Sequence, residues 1–97
     1  METLNYKYEA KEPLTRRAHV GVVGSGDLEV LIEPSNSPTT QVRVRTSVDG
    51  YARVWKAVLD RFFARFDGAA KVEINDFGAT PGTVTLRLEQ AAEAAQS

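Results

Sequence analysis

Two hydrophobic periods alternate along the chain. Leu28, Val30 and Ile32 fall on one side of a short run and Glu29 and Glu33 on the other, the period of two expected of a half-buried strand. The alternation recurs with Val42, Val44 and Val48 against Arg43 and Arg45. If these two strands form an antiparallel hairpin, the arginines oppose the glutamates. Ala18 to Val23 reads as a further strand. Between it and Leu28 stands Gly24-Ser25-Gly26-Asp27, a tight-turn composition, because glycine reaches positive φ without a Cβ penalty. Pro34 to Thr40, made of Ser, Thr, Asn and Pro, reads as a loop.

The period then lengthens to 3.6. Tyr51, Val54, Trp55, Val58, Leu59, Phe62 and Phe66 form one stripe, with Arg53, Lys56, Asp60 and Arg61 opposite, as in an amphipathic helix. Asp49 is placed to cap its start and Gly68 to stop it. Trp55, Phe62 and Phe66 are expected in the core, with Phe63 at its edge. Arg53, Arg61 and Arg65 form a solvated face whose alternative role is docking to a larger enzyme. Val72 and Ile74 then suggest a strand, Phe77 to Gly82 a loop, and Val84, Leu86 and Leu88 another strand. Glu89 to Ala95 has high helix propensity. Tyr6 and Tyr8 point to a short N-terminal strand. The expected fold is α+β: an antiparallel sheet of four to five strands, one long amphipathic helix packed on one face, and a short C-terminal helix.

Ninety-seven residues make one domain, with room for a modest two-layer core and little for a deep active site. Twelve basic and thirteen acidic residues leave a net charge of −1, without the basic excess of a chain that binds a polyphosphate backbone by charge. Nucleic acid is disfavoured. The absence of cysteine and the single histidine remove thiol nucleophiles, disulfides and conventional zinc sites. His19 reads as an ordinary strand residue with no Ser or Cys beside it to activate. The polar opening Met1 to Glu12 carries no apolar run of signal-peptide length, and no segment approaches the roughly 20 apolar residues of a membrane span. A small soluble cytoplasmic protein is expected.

Motifs with a chemical reading are few. Asp76-Phe77-Gly78 matches the kinase magnesium triplet in letters only, and Gly21, Gly24 and Gly26 make no dinucleotide-binding fingerprint. A non-covalent binding module, with Arg43, Arg45 and the tyrosines reading RNA from the sheet, would need a basic aromatic patch; Glu29 and Glu33 argue against one. A stand-alone enzyme lacks a nucleophile–base pair. Ser25 remains. It is either a plain turn residue or a hydroxyl kept clear, by Gly24 and Gly26, for another protein's active site to modify.

The run from Val20 through Gly24-Ser25-Gly26-Asp27 to Leu31 resembles the acyl carrier subunit of bacterial malonate decarboxylase. So do Met1 to Leu4, Thr46 to Gly50, and Asp76-Phe77-Gly78-Ala79-Thr80-Pro81-Gly82 leading into Leu86-Arg87-Leu88-Glu89-Gln90. Their order and spacing cover nearly the whole chain. The carrier of citrate lyase is similar in its Ser-Gly-Asp setting but departs downstream, and helical fatty-acid carriers with an Asp-Ser-Leu motif differ altogether. The resemblance implies a single acyl carrier domain over residues 1–97, itself non-catalytic. It implies that Ser25, supported by Gly24, Gly26 and Asp27, holds 2′-(5″-phosphoribosyl)-3′-dephospho-coenzyme A. The implied partners are the acyl transferase and decarboxylase subunits, a malonyl transferase and a prosthetic-group transferase, with no nucleic acid and no membrane span.

Overall fold

The computed structural model describes residues 1–96. Its strands are β1 (Glu2–Glu9), β2 (Glu12–Pro13), β3 (Ala18–Gly21), β4 (Leu28–Pro34), β5 (Thr39–Thr46) and β6 (Gly68–Asp76); its helices are α1 (Ala52–Phe63) and α2 (Pro81–Gln96). Five strands lie in the order β1-β5-β6-β4-β3, and β2 adds to β6. The α+β class is as expected, but the sheet is mixed. β5 and β6 run parallel, because α1 carries the chain back over one face and a helical crossover returns it in the same direction. The β1–β5, β3–β4 and β4–β6 pairs are antiparallel.

The β4–β5 hairpin does not form: β6 sits between the two strands. Arg43 instead reaches Glu73 at 3.5 Å, and Glu33 meets Arg17 at 3.8 Å. The inward sets are as read. Val44, Ile74 and Val30 form one cross-strand row and Val42, Val72 and Ile32 the next, all buried. Leu59 of α1 and Leu88 of α2 pack on this surface with no exposure, each contributing about 1.5–3 kcal/mol by leaving water. Val48 lies past the end of β5 and is half exposed.

The largest correction is at the C-terminus. Val84, Leu86 and Leu88 are not a strand; they lie in a 16-residue helix that starts at Pro81. Val84, Leu88, Ala91, Ala92 and Ala95 form its buried stripe, while Leu86 points outward, 52% exposed. Thr80 caps the start through its Oγ1, which accepts from Thr83 N at 3.2 Å, and Pro81 occupies the first helical position, where its missing N–H costs nothing.

Helix α1 also differs at its ends. Its N-cap is Tyr51, without a side-chain cap bond, and Asp49 instead pairs with the Met1 ammonium at 3.3 Å. Gly68 opens β6 rather than closing α1; a Cβ there would stand 2.7 Å from the Phe66 ring and 2.8 Å from Leu14 Cδ2. Phe63 is buried, stacked on Tyr8 with ring centroids 4.4 Å apart. The N-terminal strand is long, with Leu4, Tyr6 and Tyr8 packed toward the helices. Arg53, Arg61 and Arg65 lie on the exposed face of the helix and its C-terminal turn.

Candidate functional site

Ser25 sits at the tip of the turn joining β3 to β4. Asp27 N donates to Gly24 O at 3.1 Å, closing a four-residue turn with Ser25 second and Gly26 third. Gly26 has φ +77°, the positive value that a type II turn requires at its third position and that favours glycine. Ser25 is exposed, and its hydroxyl takes part in no hydrogen bond among the described residues. Val22 and Val23, 59% and 60% exposed, lead into the turn, so its approach is apolar.

Gly24 is informative because nothing inside the chain demands glycine there. Its φ is not positive, and a Cβ would meet nothing closer than Val22 Cγ2 at 3.8 Å. A side chain would fit the fold. It would, however, add bulk at the residue next to Ser25.

The turn is braced from a distant part of the chain. Gly26 N donates to Phe77 O at 2.7 Å and Phe77 N to Asp27 O at 2.9 Å. The Asp27 carboxylate accepts from Leu28 N at 2.7 Å and from Arg87 of α2 through two bonds, Nη2 at 2.9 Å and Nε at 3.2 Å. These bonds, Arg87 first, hold the Asp27 carboxyl below the usual carboxylate range, and Asp27 raises the Arg87 guanidinium. Arg87 Nη1 donates in turn to Gln90 Oε1 at 3.0 Å. Ser25-Gly26-Asp27, Phe77-Gly78 and Arg87 to Gln90, far apart in sequence, thus form one structure. The role of Arg87 was missed from sequence, since reading 84–88 as a strand placed its side chain on an outward sheet face with no link to the serine turn.

The β6–α2 connection is fixed by Asp76. Its Oδ2 accepts from Thr46 Oγ1 at 2.8 Å and its Oδ1 from Ala79 N at 3.0 Å. This buried pair lies at the same end of the sheet as Ser25, where β5 and β6 end and both helices begin.

Other candidates separate from the serine. His19 Nε2 lies 3.0 Å from Glu29 Oε2 on the open face of the sheet, and no side-chain base bonds Ser25 among the described residues. No group of three or more His, Cys, Asp or Glu among the described residues is placed to hold a metal. The tyrosines point away from the open face: Tyr6 Oη donates to Ala52 O at 3.2 Å and Tyr8 Oη to Asp60 Oδ1 at 2.7 Å. The open face presents Asn5, Lys7, Arg43, Glu73 and Leu31, with Tyr6 at its border, and among the described residues it shows no cluster of aromatic rings on which successive bases could stack. No helix among the described residues is long and apolar enough to cross a membrane.

Residues 15–95 match the family model of the malonate decarboxylase delta subunit. The malonate decarboxylase acyl carrier protein of Azotobacter vinelandii is 52% identical over 94 residues, covering 96% of this chain and 95% of that one. The one from Pseudomonas putida is also 52% identical with the same coverage. Among solved structures, a chain of a Pseudomonas malonate decarboxylase hetero-tetramer in complex with malonate superposes with a TM-score of 0.91. It is 49% identical, over 96% of this chain and 97% of that chain.

Proposed function

This chain belongs to the malonate decarboxylase delta subunit family, and from that membership we propose that it is the enzyme's acyl carrier, loaded through Ser25. The observation that carries the assignment is the exposed, unbonded Ser25 hydroxyl beside a Gly24 that the fold itself does not need. The group proposed for Ser25 is 2′-(5″-phosphoribosyl)-3′-dephospho-coenzyme A, in phosphodiester linkage. When bound it supplies the thiol that this cysteine-free chain lacks, and a thioester on that thiol helps delocalise the carbanion left as carbon dioxide departs.

The site fits such a group. In the transfer from a triphosphoribosyl donor, Ser25 Oγ loses its proton and bonds to phosphorus while a phosphoanhydride bond breaks and diphosphate leaves. Among the described residues no base stands ready to take that proton, so the transferase supplies it. Gly24 and Gly26 leave room for that enzyme, and the Asp27–Arg87 bonds brace the turn that carries the hydroxyl. The two charges neutralise each other, so the turn offers no net field against an incoming polyphosphate. The carrier then contributes reach and effective concentration. Acid, base and oxyanion groups come from its proposed partners: the acyl transferase and decarboxylase subunits and a malonyl transferase, all in the cytoplasm.

Intact-mass spectrometry and peptide mapping of the chain from cells degrading malonate test this reading. The expected result is a single adduct of the prosthetic group's mass on the peptide containing Ser25. An unmodified chain from such cells, or an adduct on Ser35, Ser37 or Ser47, overturns it.

A further inference from the structure

Between the start of α1 and the start of α2, at the Ser25 end of the sheet, lies a groove of about 330 Å³. Pockets that hold small organic ligands span about 300–1,000 Å³, so the groove is of ligand size. Val48, Val54 and Trp55 line one side and Ala79, Pro81 and Val84 the other. Val48 and Val54 are 38% and 41% exposed, left open to water side by side rather than scattered singly. The buried polar pair in the lining, Thr46 and Asp76, is already satisfied internally.

Position decides what the groove takes. Gly78, Ala79 and Thr80 form its rim, and the preceding residue, Phe77, holds the attachment turn through the 2.7 Å bond from Gly26 N. From Ser25 to the rim the path is two Cα steps of about 3.8 Å each and that one hydrogen bond. An arm made of a ribosyl phosphate, a nucleotide and a pantetheine chain is long compared with that path. A tethered group is also held at an effective concentration in the millimolar range for short flexible links, so weak apolar contacts are enough to seat it. The groove presents apolar walls and a carboxylate, which suits a neutral acyl end and disfavours an anionic one.

We propose, on the carrier reading above, that this groove shelters the acetyl-thioester end of the arm between transfers. A malonyl end, whose free carboxylate would be repelled by the Asp76 carboxylate in the lining, stays outside and available to the decarboxylating partner. Hydrolysis of the thioester, in which water adds to the acetyl carbonyl and the C–S bond breaks to give acetate and free thiol, is slowed while the carbonyl lies in the groove.

The test uses the full chain bearing the arm, with occupancy of Ser25 first confirmed by mass. Trp55 is the only tryptophan, so its indole N–H gives one resolvable resonance inside the groove. In the acetyl-loaded chain this resonance and the amides of Val54 and Ala79 are expected to shift from their unloaded positions. Those of Asn36 and Ser37, at the far end of the sheet, stay fixed. The malonyl-loaded chain is expected to resemble the unloaded one. Val54→Arg, at an exposed position, should speed acetyl-thioester hydrolysis severalfold, whereas Leu86→Arg, exposed on α2 outside the groove, should leave the rate unchanged. An arm on Ser25 with groove resonances identical to the unloaded chain, with equal shifts for both acyl forms, or with no rate change in Val54→Arg, overturns the groove and leaves the carrier reading standing. No arm on Ser25 overturns both.

Discussion

Asp27 is held by Arg87 through two bonds and by the backbone of Leu28 through a third, and this small set braces the turn that carries Ser25. Because the pair lies at the edge of the fold, only partly buried, it should matter more for the order of the turn than for global stability. Asp27→Asn and Arg87→Ala are therefore expected to speed amide exchange at Gly26 and Phe77 while barely moving the thermal midpoint. Unchanged exchange in both variants would show that the backbone bonds to Phe77 suffice. The pH dependence has a definite sign. The Asp27 carboxyl is lowered in the folded chain, so its contribution is complete above the ordinary carboxylate range and is lost as pH falls through the lowered value. Protection of Gly26 should stay flat from neutrality down to that range and fall only below it. Tyr8 shifts the other way: burial, then its bond to Asp60, raises the phenol. The Tyr8–Asp60 contact is thus intact at neutral pH and weakens only in strong alkali.

At the scale of elements, α2 separates the two readings of its own sequence. A strand over Val84 to Leu88 would bury Leu86; the helix exposes it and buries Leu88 completely. Leu86→Lys is expected to change stability by no more than about 0.5 kcal/mol, and Leu88→Ala to cost about 2–5 kcal/mol, both read from denaturant midpoints. A large loss in Leu86→Lys would restore the strand. Alternation misled here because Val84, Leu86 and Leu88 satisfy a period of two as well as the helix satisfies its own. The deciding signals lay outside the triplet, in the Thr80-Pro81 start and the alanines at Ala91, Ala92 and Ala95. The inward faces of β4, β5 and β6 were legible, since each repeats one period without competition; in α1 Trp55, Leu59 and Phe62 are buried as read, but Tyr51 and Val54 of the expected stripe are exposed and Phe63 is buried instead. The insertion of β6 between β4 and β5 was not, because pairing order depends on how a crossover helix packs and not on any strand's own pattern. The serine turn was legible as a turn, whereas its brace from Phe77 and Arg87 depended on that unseen topology.

The whole molecule depends on its first residues more than their polarity suggests. β1 pairs along its full length with β5, and Tyr8 covers Phe63, although the family match begins only at residue 15. Removing residues 1–9 leaves β5 as a bare edge and uncovers an aromatic of the core. The truncated chain is expected to lose a sharp thermal transition; an unchanged one would make β1 an ornament. The strand order has a further consequence, for the timing of synthesis. β6, the strand at the centre of the sheet, comes from the last third of the chain, and Phe77 and Arg87 lie beyond or at its end. A ribosome adding about 5–20 residues per second exposes Ser25 seconds before anything exists to hold its turn. The serine turn acquires its full set of braces only when residues through Arg87 have emerged and folded. On the proposed carrier role, a transferase that reads the finished turn would modify only folded carriers and pass over nascent or misfolded copies, so that prosthetic groups would not be spent on chains unable to deliver them.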